Sequence, residues 1–162
     1  MKQSYNKTAL AFVFAALLVL ASASFSSACA QTAVATQNLS FGTFAITDFG
    51  TIGRITINTN GSYNRAGSIY VIDPPQRGEY AVSNAGMPNS AFTVTVSPAS
   101  TTLTGLSNPL TVDNFTISPA SPMTDGAGNE TVYIGARLST SGGGTTHAEG
   151  VHTGNFDFIM NF

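Results

Sequence analysis

Beyond residue 30 the apolar residues of this chain recur mainly with a period of two, the mark of strands with one buried face. Phe92, Val94 and Val96 alternate with Thr93, Thr95 and Ser97, and Val132, Ile134, Ala136 and Leu138 alternate with Tyr133, Gly135 and Arg137. The closing stretch TGNFDFIMNF (153–162) sets Phe156, Phe158, Met160 and Phe162 against Asn155, Asp157, Ile159 and Asn161. IGRITI (52–57) puts Ile55 and Ile57 on one face, SIYVI (68–72) is a continuous apolar run ended by Asp73-Pro74-Pro75, and residues 80–82 form a further short strand. Leu110 and Val112 lie on one phase and Phe115 and Ile117 on the other, so Asp113-Asn114 marks a bulge or a break. AVATQNLSFGTF (33–44) is extended, and its alternation slips near Gly42. NTNGS (58–62) and DGAGN (125–129) are turns, and STSGGGTTHAEG (139–150) is a loop. The pattern predicts about eight short strands at the spacing of a sandwich or barrel, with no helix after the first thirty residues.

Those thirty residues have a different character. Lys2 and Lys7 precede an uncharged apolar run, LAFVFAALLVLA (10–21), and small residues lead to Ala28-Cys29-Ala30. This is the layout of a secretory signal peptide cut after Ala30, and the run is short for a membrane span. The alternative is a lipid-carrying N-terminus at Cys29, but SSA (26–28) lacks the leucine-like residue expected three positions earlier. Cleavage leaves residues 31–162 as one β domain, with no stable membrane span and without the single cysteine, so packing and strand pairing must hold it together. It also leaves four Arg, no Lys and eight carboxylates, a net charge of about −4. No basic stripe is present, which argues against a nucleic-acid partner. An outer-membrane barrel ending on Phe162 is disfavoured because several strands fall short of the ~9 to 11 residues a membrane needs.

ATQNLSFGTF (35–44), GTIGRITI (50–57), SAFTVTV (90–96), TVYIGARL (131–138) and GVHTGNFDFIMNF (150–162) occur in that order. Together they resemble the bacterial exported family known as domain of unknown function 4402, over nearly all of the chain after residue 30. One departure is that His152 stands where that family tends to carry a tyrosine between two glycines. More distantly the pattern is similar to spore-coat-U-like proteins and to the pilins of chaperone–usher fibres. The resemblance implies an all-β fold, an antiparallel immunoglobulin-like β-sandwich. It also implies a non-enzymatic structural or adhesive protein of the periplasm, cell surface or medium, whose partners are copies of itself or a periplasmic chaperone. In the pilins an N-terminal extension completes the next subunit's sandwich. Here Val34, Leu39 and Phe41 of residues 31–44 would be donated, and Phe156, Phe158, Met160 and Phe162 would border the acceptor groove. Pairing of residues 31–44 within their own domain is the other possibility. Many pilins carry a disulfide that this chain lacks.

Candidate chemistry is sparse. His147, Glu149 and His152 form H-x-E-x-x-H, three metal-ligating residue types in a glycine-rich loop, though not at the spacing of helical zinc proteases. They make a monomeric binding module for a metal ion or a sugar the principal rival reading. DGAGNE (125–130) has the flavour of a calcium loop without its full ligand pattern. Tyr70, Tyr80 and Tyr133 are candidates to stack on sugars. No G-x-S-x-G occurs, no catalytic residue stands out, and no cofactor is implied.

Overall fold

The computed structural model describes residues 31–103, 110–144, 146, 147 and 149–162. The expected signal peptide, residues 1–30 with Cys29, lies outside the described residues. Eleven strands form among them: β1 (Thr32–Gln37), β2 (Thr43–Ile46), β3 (Arg54–Ile57), β4 (Tyr63–Ala66), β5 (Ile69–Asp73), β6 (Gly78–Ser83), β7 (Thr93–Ser97), β8 (Ser100–Leu103), β9 (Leu110–Ser118), β10 (Asn129–Ser139) and β11 (Asp157–Asn161). The excess over eight comes from the short β4 and β8 and from the division of residues 33–44 between β1 and β2.

β10 is the axis. Val132, Ile134, Ala136 and Leu138 are buried on one face, while Thr131, Tyr133 and Arg137 lie half-buried on the other. β9 runs antiparallel along one edge of β10. The other edge is shared in tandem, with β6 on residues 129–134 and β3 on residues 136–139. Gly135 is the join: a Cβ there would run into the Ile57 carbonyl oxygen and the Thr116 hydroxyl. β1 extends the sheet beyond β6, β4 beyond β3 and β8 beyond β9, giving seven antiparallel strands.

The phase switch in β9 is a bulge. Gly135 pairs with Thr116 and Arg137 with Asp113, so Asn114 and Phe115 together oppose Ala136. Asn114 adopts φ 52°, and the extra residue returns Phe115 and Ile117 to the core side after Leu110 and Val112. Arg137 donates to both Asp113 oxygens at 2.9 Å beside the bulge. This hydrogen bonding, then the Asp113 charge, raises the Arg137 pKa. Both side chains are about a third exposed, so the pair fixes register more than it stabilises.

The opposing layer is in two pieces, β2 with β5 and β7 with β11, each an antiparallel two-stranded sheet. Each piece covers its own cluster. Phe44, Ile46, Ile69 and Val71 pack with Ile55, Ile57, Leu110, Val112 and Leu138. Val94, Phe158, Met160 and Phe162 pack with Val82, Val132 and Ile117. The terminal strand is core-lining, and Phe162 just beyond it stacks on Phe92 with ring centroids 4.7 Å apart.

Candidate functional site: an open cleft in the second layer

Where the second layer is split, a cleft of about 1080 Å³ opens onto the main sheet. Leu103, Val112 and Leu138 of that sheet line it, with Phe41 and Phe44 on one side and Phe156 on the other. β2 runs along it, and among the described residues it pairs with a strand, β5, on one edge only. The Phe41 side depends on a turn. Gly42 has φ 68°, and a Cβ there would strike the Asp73 carbonyl, which glycine alone avoids. This is why the alternation slips at that residue.

The residues singled out from sequence fall in three places. Leu39 and Phe41 pack against the cluster beside the cleft. Phe158, Met160 and Phe162 lie in the other cluster, and Phe156 sits between them, with Tyr80 at 6.4 Å and Phe115 at 5.2 Å between ring centroids. Val34 is apart from all of them, on β1 opposite Ala81, and 59 % exposed. β1 thus pairs with β6 of its own chain, while Leu39, Phe41 and Phe44 pack into its core.

His147, Glu149 and His152 all line the cleft. The His147 Nε2 is 3.5 Å from the Ser141 hydroxyl, and its ring centroid is 6.3 Å from that of Phe49. Among the described residues no three His, Cys, Asp or Glu side chains stand close enough to hold a metal ion. Asp125 Oδ1 accepts from the backbone N–H groups of Ala127 and Asn129, both at 2.8 Å. Those bonds lower its pKa from the ordinary 3.8 and give it the role of a turn former. Of the three tyrosines, Tyr133 lies beneath the Arg77 guanidinium, 3.7 Å from ring centroid to carbon, and Tyr70 is exposed. Sequence reasoning missed Phe44, Leu103, Val112 and Leu138 as cleft residues. Their apolar character was visible, but the split that opens a cleft beside them comes from pairings distant in the chain.

Tyr80 stacks on Phe158 at 4.4 Å and 7°, joining β6 to β11 across the layers. Burial raises its pKa above the ordinary 10.0. Folding therefore favours the neutral phenol. Its contribution to stability is complete below pH 10 and is lost as pH rises through the higher folded value. Phe158→Ala should admit water and bring the Tyr80 pKa back down, read as an earlier rise in phenolate absorbance during alkaline titration. An unchanged titration curve would mean that Phe158 does not shield the phenol.

The fold and cleft define the class, an antiparallel, immunoglobulin-like β-sandwich whose second layer is divided. Within it the chain belongs to the family described as Domain of unknown function (DUF4402), whose model matches residues 32–162. No curated protein and no solved structure matches the chain.

Proposed function

We propose that this chain is an exported, non-enzymatic structural or adhesive surface protein that assembles by strand addition at the cleft. The observation that carries the reading is the divided second layer. A β2 edge that no strand covers among the described residues, beside an apolar floor, is what an extended peptide requires: backbone groups to pair with and pockets for alternate side chains. The donor is the N-terminal segment of another subunit. Within that segment residues 31–37 are free of core packing, since all but Gln37 are exposed.

A labelled peptide of residues 31–44 should bind the exported protein saturably and raise its Tm. A peptide that does not bind, combined with a Tm rise on adding a divalent metal ion that is lost in His147→Ala and His152→Ala, would favour the binding-module reading instead.

A further inference from the structure

We propose that unassembled subunits pair as a two-fold dimer through the outer edge of β1, centred on Val34. β1 is the last strand of the seven-stranded sheet, bonded to β6 on one side, with no strand on the other among the described residues. Such an edge invites pairing unless something blunts it, commonly a charge or a proline. The β4 edge carries Arg65, whereas β1 and its neighbours Gln31 and Asn38 carry neither device.

The sequence of β1 adds a second, independent argument. Residues 32–36 read Thr-Ala-Val-Ala-Thr, which is the same in both directions. In an antiparallel pair of two copies centred on Val34, Thr32 faces the partner's Thr36, Ala33 faces the partner's Ala35, and Val34 faces its own counterpart. A closed two-fold contact needs this self-complementarity, and Thr–Thr and Val–Val cross-strand pairs are favourable ones. The β1–β6 register slip falls between Ala35 and Gln37, at the end of the palindrome, leaving Thr32 to Ala35 in unbroken register. Val34 lies opposite Ala81 and takes no part in either core cluster, so its exposure has no role within the subunit. A six-residue edge buries less than the ~1,000 Å² of a tight interface, so the dimer is weak and concentration-dependent.

The inference rests on the sheet edge and not on the cleft. Pairing at this edge and donation to a cleft use the same strand and exclude each other in any one subunit. The test uses the unassembled fraction of the exported protein, whose residues 31–162 hold no cysteine. Sedimentation should show a monomer–dimer equilibrium, and Val34→Lys, which sets like charges face to face, should leave monomer with an unchanged Tm. Under mild oxidation Val34→Cys should cross-link to a dimer, while Thr32→Cys and Thr36→Cys, which do not face their own counterparts, should not. Monomer at every concentration, a dimer that survives Val34→Lys, or cross-linking no better at 34 than at 32 and 36 would each overturn the proposal. A boiling-sensitive ladder without a position-34 cross-link would overturn the dimer and leave the cleft reading standing.

Discussion

Gly135→Val should abolish the folded state, with no cooperative thermal transition in the purified protein. Gly135 sits where β10 passes from β6 to β3 along one edge while holding β9 on the other. Its missing side chain lets the Ile57 carbonyl approach, and the atoms a Cβ would meet include backbone that cannot swing away. Relief would require β3 to leave β10, which uncovers Ile55 and Ile57, both essentially inaccessible to solvent. The smaller Gly135→Ala meets the same carbonyl. It should cost about 3 kcal/mol, lowering Tm by about 10 °C. A Gly135→Val protein that melts like the wild type would mean that β6 and β3 do not meet β10 as described.

Leu138→Ala should destabilise the protein by about 2–5 kcal/mol, measured by denaturant unfolding. Leu138 is fully buried in the larger cluster, pairs with Ile55 on one side and Val112 on the other, and lines the cleft. Its loss removes apolar burial and deepens a cleft that the surrounding sheet is too well paired to close. Val34→Ala supplies the contrast. It removes a side chain of similar character that lies in neither cluster, so it should shift stability by no more than about 0.5 kcal/mol. Similar losses at the two positions would contradict the division between a core and a peripheral β1.

What the sequence conveyed was local, and what it missed was long-range. β10 was legible because its alternation coincides with burial on one side of a central strand. The β9 bulge was legible because the extra residue moves Phe115 and Ile117 to the other phase, which leaves a trace in the residue order. β4 was not legible: Tyr-Asn-Arg-Ala is exposed throughout, held by backbone pairing to β3, and carries no apolar rhythm. β8, Ser-Thr-Thr-Leu, is a short edge with one apolar residue, Leu103, which packs on the larger cluster. The terminal phenylalanines announced a buried face, yet whether that face lined a core or a docking groove depended on β7, sixty or more residues away in the chain. The cleft was least legible of all, since it is the gap between two pieces of a layer. The His147, Glu149 and His152 spacing likewise gave no view of where a glycine-rich loop would set the three side chains.

The central claim is that the cleft takes an N-terminal strand from another subunit. The most direct test is a denaturing gel, unheated and boiled, of the protein expressed from the full chain and of a form lacking residues 31–37. The account predicts a ladder from the unheated full chain that collapses to one band on boiling. It also predicts that the deletion form gives no ladder yet stays folded, because β1 adds only edge pairing to β6. A full chain that runs only as a compact monomer, or a ladder that persists without residues 31–37, would contradict it.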